Sequence, residues 1–108
     1  MSEKRRDFRH PVTFTVEFEG RNCKSSMTQT VDISLGGIGV LTQEPFPRNT
    51  DIKIRIPIKS FQLELDGKVA HSTQNPTYNL YQTGISFSNQ TGDFRSELAN
   101  ILLDLVNA

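Results

Sequence analysis

Apolar and polar residues alternate with a period of two through most of this chain, and only its end changes to a helical period. Val12, Phe14, Val16 and Phe18 alternate with Thr13, Thr15, Glu17 and Glu19, which predicts a strand with one buried face, turned back at Gly20-Arg21-Asn22. A second strand is expected from about Lys24 to Ile33, where Met27, Val31 and Ile33 hold one parity and Thr28, Thr30 and Asp32 the other. Asp32-Ile33-Ser34-Leu35-Gly36-Gly37 then reads as a turn, because two adjacent glycines permit positive φ and a sharp reversal into a third strand, Ile38 to Thr42. Gln43 to Thr50, with Pro45 and Pro47, reads as a loop. Ile52, Ile54, Ile56 and Ile58 alternate strictly with Lys53, Arg55, Pro57 and Lys59, and Pro57 places that end at a sheet edge or bulge. Phe61, Leu63 and Leu65 repeat the alternation up to a turn signal at Asp66-Gly67, with continuation through Lys68 to Ser72 past a bulge as the alternative. A loop around Asn75-Pro76 leads to a last strand, Leu80 to Phe87, with Ile85 and Phe87 facing in. Phe94, Leu98, Ile101, Leu102 and Leu105 recur at helical spacing, so a helix is expected over about 93–107, N-capped by Asp93 and widened on its apolar side by Leu103 and Val106.

Composition narrows the function more than the fold. The 108 residues suffice for one domain with a modest core, and 35% hydrophobic content makes that core economical. Twelve basic residues balance twelve acidic ones, which argues against a dedicated nucleic-acid binder. The single cysteine, Cys23, rules out an internal disulfide and fits a reducing cytosol. No apolar run approaches the ~20 residues that span a bilayer, and no signal-peptide core follows the basic start, so a soluble cytoplasmic protein without membrane insertion is expected. Enzyme chemistry finds little support. His10 and His71 have no metal-ligand spacing, and Ser34 lies in no nucleophile elbow. Gly37-Ile38-Gly39 is not followed by the Lys-Ser/Thr of a phosphate loop. No metal or cofactor is expected, and His71 reads as a structural or exposed residue of a strand.

The start of the chain changes the picture. Lys4-Arg5-Arg6-Asp7-Phe8-Arg9 gathers four of the twelve basic residues into six positions. Residues 1–10 have no apolar period and read as a flexible basic arm ahead of a folded domain, 11–108, that begins at Pro11. Arg5 and Arg9 form an RxxxR, followed about twenty residues on by the DxSxxG of Asp32, Ser34 and Gly37. In these two motifs, in this order, the chain resembles the PilZ domain family. Tyr81-Gln82-Thr83-Gly84-Ile85-Ser86-Phe87 is similar to that family's late "GIxF" strand.

The resemblance implies a mainly β fold, a small antiparallel barrel of six to seven strands with one C-terminal helix that plugs or covers it. It also implies a non-catalytic receptor for the bacterial second messenger cyclic di-GMP. Carried over by position, the ligand site comprises Arg5, Arg9, Asp32, Ser34 and Gly37, with Lys4, Arg6 and Gly36 as secondary candidates. Asp7, a carboxylate between the two arginines, is a departure. Residue chemistry permits such a ligand. Guanidinium groups fork onto phosphate oxygens or guanine O6 and N7, and a carboxylate matches the N1–H and N2–H₂ donors of guanine. A receptor without an effector of its own implies a downstream protein partner, and surplus apolar surface on the helix raises a homodimer. Two other classes compete: a PilZ-type interaction module without ligand binding, and a small-barrel binder of single-stranded nucleic acid, which zero net charge disfavours.

Overall fold

Each amphipathic strand needs cover for one face, and a sheet that closes on itself gives all of them that cover without leaving a long edge. The computed structural model describes residues 10, 11, 13, 15–20, 26–58, 61–77, 79–88 and 91–106. The strands are β1 (His10–Pro11), β2 (Thr15–Gly20), β3 (Ser26–Ile33), β4 (Gly37–Thr42), β5 (Asp51–Ile58), β6 (Phe61–Asn75) and β7 (Leu80–Phe87). One helix, α1 (Gly92–Val106), follows. The strands run in the order β1-β3-β2-β5-β6-β7-β4, and an additional β3–β4 pairing closes the sheet. All pairings are antiparallel. The two-residue β1 lies along β3 beyond the end of β2, so the closed barrel has six strands.

The inward residues are those the alternation predicts on most strands. Val16 and Phe18, Ile38 and Val40, Ile52, Ile54 and Ile56, and Ile85 and Phe87 form one buried cluster with Ile33, Leu65 and Val69. Leu98 and Leu102 of α1 join it, and full burial of one such side chain contributes about 1.5–3 kcal/mol. Phe94 meets Phe87 edge-on at 6.1 Å, fixing the start of the helix against the end of β7. Leu103 lies 60% exposed on the far side of the helix. Pro57 faces Gln62 of β6, beyond the last β2–β5 partner pair, Glu17 and Arg55, so its missing N–H costs no ladder bond on the β2 side.

Three expectations need correction. Asp66-Gly67 is no turn: β6 runs unbroken for 15 residues, and its irregularity falls between Val69 and His71. Gly67 is glycine because a Cβ there would meet Ser86 O at 2.5 Å and Ile85 Cγ2 at 2.7 Å, a close approach rather than a reversal. On β3 the apolar parity is not simply inward, since Met27 is 63% exposed and Thr30 is buried. The helix is capped by Thr91, whose Oγ1 accepts from Phe94 N at 3.3 Å and whose carbonyl accepts from Arg95 N at 3.0 Å. Asp93 instead sits within the first turn, where its charge still complements the helix dipole. The predicted positions Val12 and Phe14, the Arg21-Asn22 turn, Cys23, Lys24 and Lys59 lie outside the described residues, as do the side chains of Ile58, Phe61, Leu105 and Val106.

Candidate ligand-binding site

The DISLGG segment is a tight β3–β4 connection built around one hydroxyl. Ser34 Oγ accepts from Gly36 N and Gly37 N, each at 3.2 Å, and donates to Gly37 O at 3.4 Å. A hydroxyl has one proton and two lone pairs, so Ser34 is fully used inside the turn. Its own N–H donates to Gly37 O at 2.8 Å, and the residue is only 2% exposed. Phe87 N donates to Gly36 O at 2.9 Å, tying the turn to the end of β7. The expected positive φ is absent, because no described glycine has one. Gly37 serves packing instead: a Cβ there would stand 2.3 Å from the backbone oxygen of Ile85.

Asp32 owes its orientation to an irregularity. Thr30 pairs with Val40, but Asp32 pairs with Gly39, so Val31 is an extra residue on β3. Before it the even position Thr30 points into the barrel; after it the odd position Ile33 does, at 0% exposure. Asp32 therefore faces outward and is half-buried. Its other neighbour is β1, with Pro11 opposite Asp32 and His10 opposite Ile33. Arg9 is bonded to His10, and an extended chain from His10 back to Arg5 spans at most ~17 Å. The RxxxR residues Arg5 and Arg9, with Lys4, Arg6 and Asp7, lie outside the described residues. The point where their segment joins the barrel is beside Asp32.

Other features sit elsewhere. A hollow of about 360 Å³ lies between the start of β3 and the end of β4, lined by Phe18, Met27, Leu41, Phe46 and Leu80 among others, and it touches none of the described motif residues. The described basic residues of the β2–β5–β6 outer face are committed to carboxylates. Arg55 reaches Glu19 at 2.9 Å, Glu64 at 3.0 Å and Glu17 at 3.5 Å, while Lys68 reaches Asp51 at 2.6 Å. Lys53 lies 3.3 Å from Asp66, and that hydrogen bond, then the charges of Asp66 and Glu64, raise its pKa. The Arg55 pKa is likewise raised, first by its bond to Glu19 and then by that to Glu64. Phe18 packs edge-on against Phe46 at 5.3 Å, and Phe87 against Phe94, so none of these four rings forms an open stacking surface. Cations already paired on that outer face, and rings packed on the core, do not make a track for a nucleic-acid strand. Among the described residues no group of three or more His, Cys, Asp or Glu side chains could hold a metal ion. No described helix is long and apolar enough to cross a membrane.

Comparison with known proteins is consistent with this geometry. The PilZ domain family model matches residues 3–104. The PilZ domain of Escherichia coli YcgR, solved with c-di-GMP, superimposes with a TM-score of 0.72 at 16% identity, covering 95% of this chain and 92% of that one. The MrkH–c-di-GMP complex of K. pneumonia gives 0.75 at 19% identity, over 98% of this chain and 53% of MrkH. The Bacillus subtilis inhibitor of motility, MotI/DgrA, gives 0.70 at 19% identity, over 98% of this chain and 53% of that one. The chain thus spans about half the length of MrkH and MotI/DgrA. No curated protein is significantly similar in sequence.

Proposed function

Because the chain belongs to the PilZ domain family, we propose that it is a non-catalytic receptor for cyclic di-GMP. The observation that carries this reading is the pairing of Pro11 with Asp32. The segment that carries RxxxR therefore joins the barrel beside Asp32 of DxSxxG, within reach of a single ligand that touches both half-motifs. Arg5 and Arg9 contact phosphate and guanine, with Lys4 and Arg6 adding positive field, and Asp32 reads a guanine edge. Ser34, Gly36 and Gly37 hold the turn that presents Asp32. That YcgR and MrkH were solved with c-di-GMP supports the same ligand here.

Calorimetry with cyclic di-GMP tests this. The wild-type chain should bind, and Arg5→Ala or Arg9→Ala should each weaken binding roughly ten- to hundredfold, the worth of a charge-assisted hydrogen bond. Neither arginine belongs to the apolar pattern, so melting temperatures should stay within a degree or two of wild type, about 0.3 kcal/mol. Unchanged affinity in both variants would reduce the basic segment to a solubilising tail.

Signalling follows from ordering of the arm. Residues 4–10 are charged and offer little apolar surface, and fixing seven such residues costs on the order of 1–2 kcal/mol each, which ligand contacts must offset. The ligand-bound arm is then a new surface for a downstream protein, while the barrel keeps its shape. Amide exchange should show protection gained over residues 5–10 on adding cyclic di-GMP and little change over Ile52 to Ile58. Equal protection of the arm in both states would locate the switch elsewhere.

A further inference from the structure

The β5–β6 hairpin reaches past both of its neighbours. β2 last meets β5 at Glu17 and Arg55, and β7 meets β6 only from Gly67, opposite Phe87, onward. Among the described residues, each strand of the hairpin therefore has a free edge there, at 56–58 of β5 and 61–65 of β6. The first edge is guarded, because Pro57 has no N–H to offer another strand. The second is not. Ser88 N donates to Asp66 O at 2.8 Å, so Asp66 turns its backbone toward the β7 side. Backbone groups alternate sides along an antiparallel strand, so Glu64 and Gln62 turn theirs the same way, where no described strand receives them.

The side chains of this edge do not keep another strand away. Glu64 is its one charged residue, and Arg55 at 3.0 Å and Lys53 at 3.6 Å already neutralise it. Gln62 and Glu64 are exposed on the outer face, while Leu63 is half-buried on the inner one, packed against the core cluster. Zero formal net charge removes the long-range repulsion that would hold two copies of this chain apart.

We propose that the β6 edge is where two copies of this chain pair, as antiparallel strands about a twofold axis through Leu63. In that register Gln62 of each copy faces the partner's Glu64 in the hydrogen-bonded positions, and Leu63 faces the partner's Leu63 between them. The two Gln–Glu pairs use the N–H and C=O groups that the edge leaves over. The Gln62 amide donates to a carboxylate with acceptor sites to spare beyond its two cations. Centring the axis on Glu64 would set two carboxylates directly opposite each other, which is unfavourable. The contact is isologous, so it closes on two copies and offers no edge to a third. It is also small, which makes the dimer a reversible one, formed through a strand and not through α1.

Sedimentation of the full chain tests this. It should be monomeric at about 10 μM and reversibly dimeric by about 1 mM, the range of a small interface. Over the same range amide exchange at Gln62 and Glu64 should slow, while Leu63, bonded to β5, stays protected throughout. Gln62→Pro removes an edge N–H without touching a β5 bond, so it should stay monomeric and still unfold cooperatively. Gln62→Glu should weaken the dimer and Gln62→Lys tighten it, each roughly two- to thirtyfold at low salt, since each dimer contains the pair twice. In a Cys23→Ser background, Leu63→Cys should oxidise to a covalent dimer and Gln62→Cys should not, because only the residue on the axis meets its own copy within the ~7 Å between Cα atoms that a disulfide allows. A wild-type chain that is still monomeric at about 1 mM overturns the inference. So does a dimer of equal affinity in Gln62→Pro and Gln62→Glu, or cross-linking of Gln62→Cys as fast as that of Leu63→Cys. All of this is read without cyclic di-GMP, so the receptor reading stands or falls separately.

Discussion

Cyclic di-GMP should bind this chain up to about 10⁴-fold more tightly than cyclic di-AMP. The two dinucleotides share charge, ring size and sugar, so any preference must arise at the bases. Adenine has no N1 proton and no N2 amino group, and it carries an amino donor where guanine has the O6 acceptor. A carboxylate at Asp32 would lose both of its donors, and an arginine aimed at O6 and N7 would face another donor. Discrimination of this size needs a reader that cannot swing away. Asp32 qualifies, since its backbone is paired on both sides, with Pro11 and with Gly39, and the turn after it is fixed by Ser34 and by Phe87 N. Titration of both dinucleotides into the wild type is decisive. Similar affinities would show that phosphate contacts dominate and that Asp32 reads nothing.

Gly37→Ala should destabilise the fold by about 3 kcal/mol, the upper end for forcing a methyl group into a packed site. The new Cβ would stand 2.3 Å from Ile85 O, a backbone atom in a strand paired on both sides, so no rotamer change relieves the clash. For a domain of this size the loss corresponds to a melting temperature lower by roughly 12 °C or more. Gly92→Ala is the control, because nothing lies within 4 Å of a Cβ there, at the start of α1. Urea or thermal unfolding of the two variants should differ widely, and a Gly37→Ala variant as stable as Gly92→Ala would contradict the packing account. Loss of ligand binding in Gly37→Ala then reports on the turn, so the glycine of DxSxxG acts through packing.

Much of the barrel is readable from residue periodicity because its strands are amphipathic and buried on one face only. The isoleucines of β5 and the Ile85–Phe87 pair of β7 face inward as their spacing requires. What periodicity misreads is long-range. Asp66-Gly67 has the local chemistry of a turn, but Gly67 answers to Ser86 and Ile85, nearly twenty residues away. Thr91 and Asp93 are both good caps by type, and the contact between Phe94 and Phe87 sets which turn comes first. The position of the extra residue on β3 has no signature in Thr-Val-Asp itself. His71 lies exposed on a strand as expected, but nothing beside it in sequence shows that Gly84 makes room for its ring. Only the β6–β7 register does.

The extra residue at Val31 has a further consequence, for how the chain tolerates change in length. A strand has a reading frame of two, and Val31 is a frameshift within it. Remove one residue there and the downstream frame inverts: either Asp32 turns into the apolar interior, where a carboxylate is very costly, or Ile33 leaves the core. Substitutions at single positions leave the frame intact, however drastic their chemistry. Binding and folding in this strand are therefore linked by counting as much as by composition. A lineage could lose the ligand through point changes at Asp32 and keep the barrel. A single-residue deletion in β3 puts both at risk in one step.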